Sequence, residues 1–489
     1  MKPQIILPQY GVKNGMLIFS EDATPRILLF FFAALLQLVG SAIAGVGFSL
    51  NWQGFWLAGF CLWLLWFVLM FVIVAPKTDD ILLSRQRTLR RGSTGIFMAL
   101  LILGITELIV ALIVVPAFQR SGAQGDFAKL LEQMRNGFQY NDGTALEQQA
   151  TENFLHGENP YAHASIVSAL LKYNGSFDRV TPLRAGSLAN VFPYPTDAQL
   201  KQIWDAAIQN PSQPPPEIES HVSYPAGSFL LPAPFIAVGV TDIRIIYFIF
   251  VMAGLAYATW QIPSKKKLVF IAFAVISLEL WNTLADGESA SIMFPFLLIA
   301  WVSLRKNWWV SAMAMGLAVT TKQTAWFFLP FYLILIFEKS GAKTLAAAFS
   351  LICAIFVLTN AYFIALDPGL WVRSILSPII DPMFPIGVGI AAFVNAGLVN
   401  IRSALPFTIL EGIVFISAVI WYLRNRSRWP YAGIVLAVLP LFFSWRSLWS
   451  YFFYVQIILL ACLLSETEKH TQTRLTHQYE KSLKASEIL

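Results

Sequence analysis

Hydrophobic runs dominate the chain and are broken by short polar joints. Runs near 27–48, 54–75 and 95–118 each carry enough apolar residues, about 20, to cross a bilayer as a helix. A polar stretch follows from 119 to 224, the longest in the sequence. Beyond it, Tyr224-Pro225-Ala226-Gly227 opens an apolar segment broken by Pro232 and Pro234. Proline leaves backbone groups that need protein or water partners, so this segment reads as juxtamembrane or re-entrant. Further apolar runs lie near 243–261, 268–285, 289–304, 308–320, 324–338, 344–366, 404–423, 430–444 and 448–464. The Gly-rich run 385–400 is short and reads as re-entrant.

Basic residues sort the joints into two sets. Lys77, Arg85, Arg87, Arg90 and Arg91 separate the second and third runs. Similar clusters are Lys265-Lys266-Lys267, Arg305-Lys306, Lys339 with Lys343, and Arg424, Arg426 and Arg428. The positive-inside rule places these on the cytoplasmic side, together with both termini. The expected architecture is an all-α polytopic membrane protein of about twelve spans, with one long extracytoplasmic loop containing juxtamembrane helices. The regions are N-terminal membrane helices (1–118), an extracytoplasmic catalytic loop (119–242), a transmembrane core (243–465) and a cytoplasmic tail (466–489). The chain is expected to reside in a membrane as a multi-pass protein. Ser41-Ala42-Ile43-Ala44 resembles a signal-peptidase site, but the long preceding run and the second run close behind it read as a retained helix.

Composition agrees with a lipid-embedded chain: 57% of residues are hydrophobic and 13% are charged. The net charge of +6 does not point to nucleic acid, because the cations sit in short clusters between apolar runs. Cys61, Cys353 and Cys462 lie singly inside apolar runs, which gives neither a disulfide framework nor a thiolate site. His156 and His163 form no HxxxH or HExxH pattern, which speaks against a zinc site; no cofactor is expected and no divalent metal is indicated.

In this topology Asp142, Glu158, His221, Asp286, Glu288, Lys322, Arg373, Asp381 and Arg446 reach one face. A Lys or Arg at a membrane rim can hold a lipid phosphate, and a carboxylate beside it can take a proton from an acceptor hydroxyl. Each residue also has a plainer reading. Asn141-Asp142-Gly143 is a common turn and a helix start favours an acid. Lys322 can snorkel, Arg446 can cap a tight turn, and Asp286 with Glu288 can solvate a short loop. Glu107, Glu279 and Glu411 lie inside expected spans, where an acid is a functional candidate. They sustain a second reading, a transporter or flippase of a lipid-linked or polar solute. A third reading is a scaffold whose loop binds a partner.

Five motifs in order resemble a known family: Asp142-Gly143-Thr144-Ala145-Leu146, Gly157-Glu158-Asn159-Pro160-Tyr161, Tyr224-Pro225-Ala226-Gly227-Ser228-Phe229, Lys322-Gln323-Thr324-Ala325-Trp326-Phe327 and Trp445-Arg446-Ser447. Together they resemble the GT-C superfamily of polytopic glycosyltransferases, nearest the bacterial branch of glycosyltransferase family 87 and the RgtA/B/C/D-like proteins. The resemblance covers roughly residues 95 to 465. It implies transfer of a sugar from a polyprenyl-phosphate donor to a lipid or glycan acceptor at the outer face, inverting and hexosyl- or mannosyltransferase-like. It implies Asp142 as general base and Lys322 and Arg446 as cations for the carrier phosphate. Glu158, Asn159, Tyr161, Tyr224, Asp286 and Glu288 are the further substrate-binding candidates. Two features depart from the family pattern. Two extra helices precede the loop, and Asn141 stands where a second acid is often found, with Asp126 the only other nearby loop acid.

Overall fold

The computed structural model describes residues 23–50, 52–114, 140–173 and 175–466, and shows an all-α protein. The Asp126 position, the first part of the long loop and the tail beyond Glu466 lie outside the described residues. Among the described residues, six helices are long and apolar enough to cross a membrane: Pro25–Phe48, Gln53–Val74, Thr78–Val114, Ile243–Gln261, Thr324–Leu366 and Leu405–Asn425. A bent pair, Ser264–Ile276 and Leu278–Asp286, makes up to 7. The chain therefore has the helices of a multi-pass membrane protein.

Two of these elements are broken for identifiable reasons. Thr324–Leu366 spans 43 residues, about 65 Å of helix, and its geometry fails at Gly341, with φ 80° and ψ 177°. Only glycine adopts that conformation at little cost. The break lets the chain turn back. Gln323 at the start and Asn360 near the end both bond loop backbone, at Ser223 and Ala226, whereas Glu338 beside the turn pairs with Arg426 at 2.8 Å. The pair Ser264–Asp286 bends by 51° at Ser277, whose hydroxyl bonds back to the Phe273 carbonyl at 2.8 Å.

The bundle has two chemically different ends. One end gathers the basic joints: Arg26 with Asp79, Lys306 with the Gln261 carbonyl, and Arg305 with Glu466. The other end gathers the long loop and the joints near 286–290, 321–324, 381–390 and 444–451. Within the apolar interior, Gln456 donates to Gln37 at 2.6 Å and accepts from the Trp66 indole at 3.4 Å. That contact links the first two helices to the last by hydrogen bonding where shared apolarity supplies no directional force.

Segments expected to be re-entrant are short and folded back. Residues 227–237 form two short helices, Gly227–Leu230 and Ala233–Ala237. Gly227 approaches the helix Trp308–Thr321 so closely that a Cβ there would stand 2.5 Å from the Thr320 carbonyl oxygen. The run 385–400 contains the strand Ile386–Gly387 and the short helix Ala391–Asn395. Its strand pairs in parallel with Arg446–Ser447, Ile386 opposite Arg446. The pairing needs bare backbone: a Cβ at Gly389 would lie 1.9 Å from the Phe442 carbonyl oxygen and 2.5 Å from Ser447 Oγ.

Gly389→Ala is expected to cost about 1–3 kcal/mol by forcing these segments apart. Gly412→Ala, where a Cβ meets nothing within 4 Å, should leave thermal unfolding in detergent unchanged or slightly raised. Equal melting of the two variants would show that the close approach does not matter.

Candidate functional site

The loop helix Asp142–Leu155 builds the floor of the site. Asn141 caps it, its side chain accepting from the Thr144 amide at 2.8 Å, so Asp142 occupies the first turn beside the positive helix end. This is also the position that the plainer reading of Asp142 required. The Asp142 carboxylate accepts from the Gly143 amide at 2.7 Å and is only half-buried. The Asn141 amide donates to the Asp286 carbonyl at 3.3 Å, which fastens the helix start to the end of a membrane segment.

The buried face of this helix is polar. Thr144, Glu147, Gln148 and Thr151, spaced i, i+3, i+4 and i+7, are each at most 1% exposed. Gln148 accepts from the Ile243 amide at 3.0 Å and donates to the Thr241 carbonyl at 2.7 Å, joining the helix to the start of Ile243–Gln261. Thr151 donates to the Phe229 carbonyl at 3.2 Å. Glu147 accepts from the Tyr247 hydroxyl through one oxygen, while its Oε1 is buried without a hydrogen bond. Burial pushes the Glu147 carboxyl up to about 8, although Tyr247 and Lys322 act against the rise.

Lys322 is the centre of charge. It sits in the extended joint between Trp308–Thr321 and Thr324–Leu366 and is 4% exposed. Its ammonium donates to Ser289 Oγ at 2.9 Å and faces the rings of Tyr224 at 5.3 Å and Tyr451 at 5.9 Å. Burial lowers its pKa, and the charges of Glu288, Glu147 and Asp142 oppose that fall. Glu288, raised by burial, is held in turn by Lys322 and faces the Ser450 hydroxyl. Arg446 reaches Thr181 Oγ1 at 3.4 Å and acts electrostatically on Tyr194 and Tyr451, as Asp142 also does.

Asp142, Glu288, Lys322, Tyr224 and Arg446, far apart in sequence, therefore share one end of the bundle and one electrostatic neighbourhood. Asp286 is adjacent but engaged: it pairs with Arg179 at 2.8 Å. Tyr161 supports the site from behind. Its hydroxyl donates to the Tyr224 carbonyl at 2.9 Å, and its ring packs on Phe229 and Phe363. Asn159 turns on itself, accepting from the Tyr161 amide at 3.1 Å. Glu158 is exposed beyond the far end of the loop helix, about 20 Å of helix away from Asp142. Glu107 faces Asn282, and Glu279 faces Ser41 with Glu107 nearby, within the helical interior.

Sequence reasoning missed Glu147, Tyr194, Ser289 and Tyr451. The spacing of Thr144, Glu147, Gln148 and Thr151 was a signal, but a polar stripe ordinarily marks a solvated face. The structure also brings Glu219, His221 and Asp381 together, with one ligating atom from each mutually within 4.8 Å. No family model matches the chain, and neither a curated protein nor a solved structure matches it.

The Glu147 carboxyl gives a pH signature. Its folded value of about 8 lies above its ordinary 4.5, so protonated Glu147 adds stability that is fully present below about pH 4.5 and lost as pH rises through about 8. Glu147→Gln should flatten the fall in melting temperature across that window in detergent. An unchanged slope would remove Glu147 from the account.

Proposed function

We propose that the chain is a membrane-integral glycosyltransferase of the GT-C kind, using a polyprenyl-phosphate sugar as donor and a lipid or glycan as acceptor. The observation that carries this reading is Asp142 on a loop helix within electrostatic reach of buried Lys322, at the end of the bundle opposite the basic joints. An acid at the interface and an enclosed cation suit a substrate with its headgroup at the surface and its tail in lipid.

The topology of the proposal has twelve crossings. It takes the six long helices with Thr324–Leu366 counted twice, the bent pair once, and four shorter helices: Ala290–Ser303, Trp308–Thr321, Ala432–Phe442 and Trp449–Ser465. By the positive-inside rule the basic end is cytoplasmic and the site is extracytoplasmic, in a bacterial plasma membrane.

In the proposed reaction the Asp142 carboxylate takes the proton of an acceptor hydroxyl. The acceptor oxygen forms a bond to the anomeric carbon as the bond from that carbon to the carrier phosphate oxygen breaks, inverting the centre. The electron pair leaves on the phosphate, and Lys322 with Arg446 stabilises the growing negative charge. Glu288 holds Lys322 charged despite its burial. Tyr224 and Tyr161 shape the wall, and no step requires a metal.

A transporter or flippase is the second reading, favoured by Glu107 and Glu279 lying near each other inside the bundle. Against it, the two acids lie beside polar side chains of the protein, Asn282 and Ser41.

Reconstituted protein should transfer label from a panel of polyprenyl-phosphate sugars to envelope extract. Asp142→Asn should lower the rate about 10²- to 10⁴-fold, whereas Glu158→Gln should transfer at the wild-type rate. Wild-type turnover by an equally folded Asp142→Asn protein would overturn the assignment.

A further inference from the structure

A second group of side chains lies beside the candidate site and takes no part in the proposed transfer. Three loop segments meet there. The Leu183 amide donates to the Glu217 carbonyl at 2.7 Å, the Glu219 amide to the Thr181 carbonyl at 2.9 Å, and the Arg184 amide to the Pro382 carbonyl at 2.7 Å. Segment 181–184 is thus held between 217–219 and 382–383. Asp381 closes the helix Pro368–Ile380, its amide donating to the Ser377 carbonyl at 2.9 Å. These backbone contacts fix where Glu219, His221 and Asp381 stand.

The three side chains converge on one point. His221 Nδ1 lies 3.2 Å from Glu219 Oε1 and 3.4 Å from Asp381 Oδ2. The Glu219 and Asp381 side chains are 6% and 9% exposed, and the imidazole is 30% exposed. Glu219 Oε2 and Asp381 Oδ2 are both buried without a hydrogen bond. One ring nitrogen carries at most one proton, so it cannot satisfy two carboxylates that approach it together. Buried carboxylate oxygens left in this state are costly unless paired or coordinated to a metal.

We propose that Glu219, His221 and Asp381 form a binding site for a divalent transition-metal ion of the zinc class. Four ligands at zinc distances of about 2.0–2.2 Å in a tetrahedron stand about 3.3–3.6 Å apart, close to both separations from Nδ1. Two carboxylates and a neutral imidazole balance the ion's charge. The partly exposed imidazole edge leaves an approach for the metal and for a water as fourth ligand. Magnesium is disfavoured, because it keeps several waters and prefers an octahedral set of oxygens. The loop segments holding these residues adjoin the candidate site through Thr181, which Arg446 contacts, and through Ser223, which precedes Tyr224. The ion would pin the loop against the segment after Pro368–Ile380. This inference stands independently of glycosyl transfer.

The test uses full-length, tag-free protein in detergent, stripped with chelator and dialysed against zinc ion alone, with manganese and magnesium as separate arms. Metal content by mass spectrometry and the melting temperature are both read. The expected result is one zinc per chain and a zinc-dependent rise in melting temperature, with weaker effects of manganese and magnesium. Glu219→Gln, nearly the same in shape, and His221→Ala should each weaken zinc binding by more than about tenfold, with the apo proteins still melting cooperatively. A variant that loses cooperative melting is replaced by Asp381→Asn, read in the same way. Absence of stoichiometric zinc in the wild type, or wild-type zinc affinity in the folded variants, overturns the site and leaves an ion-pair cluster only.

Discussion

An ammonium group enclosed in an apolar bundle needs negative charge around it, and at Lys322 that need organises one end of the molecule. Desolvation alone would drive the group to its neutral form. Glu288 comes from the joint after the bent helix pair and Asp142 from the first turn of the loop helix, while Glu147 of the same helix adds its charge only as pH rises through about 8. Ser289 takes the hydrogen bond, and the rings of Tyr224 and Tyr451 supply their electron-rich faces. Five separate stretches of chain must meet for this to hold. The Gly227 approach to Thr320, the Gly389 approach to Phe442 and the turn at Gly341 let the backbones come close enough.

The loop helix is the second half of the same arrangement. A polar stripe buried against membrane helices has to satisfy each of its groups, and Gln148 and Thr151 do so with backbone at Thr241, Ile243 and Phe229. Thr144 and Glu147 are the exceptions: Thr144 Oγ1 and Glu147 Oε1 are buried without a hydrogen bond. Such unmet burial is tolerated where a site needs a responsive charge, and Glu147 lies beside Lys322.

The apolar runs made most of the fold legible, because a bilayer-length stretch has few alternatives to a helix. The breaks were legible too: basic joints, the prolines after Tyr224 and the short Gly-rich run each marked a turn or a fold-back. Asp142, Lys322, Arg446 and Glu288 could be singled out because charge is rare in such a chain. The neighbours of Lys322 were not readable. Glu147 looks like one more acid on an amphipathic helix, and Tyr451 and Ser289 carry no local signal. Glu158 stood within a conspicuous motif, yet the length of the helix places it far from Asp142. The Glu219, His221 and Asp381 cluster escaped for a related reason. Spacing rules find ligands on one element, and Asp381 enters from a different loop 160 residues beyond His221.

The central claim is that the enclosed Lys322 charge holds a lipid-linked phosphate. Binding of sugar-free polyprenyl phosphate and of the matching polyprenol, measured by native mass spectrometry on wild type and Lys322→Met, tests it most directly. The account predicts that wild type prefers the phosphate over the alcohol and that a folded Lys322→Met protein loses most of that preference. An undiminished preference in the variant would contradict it.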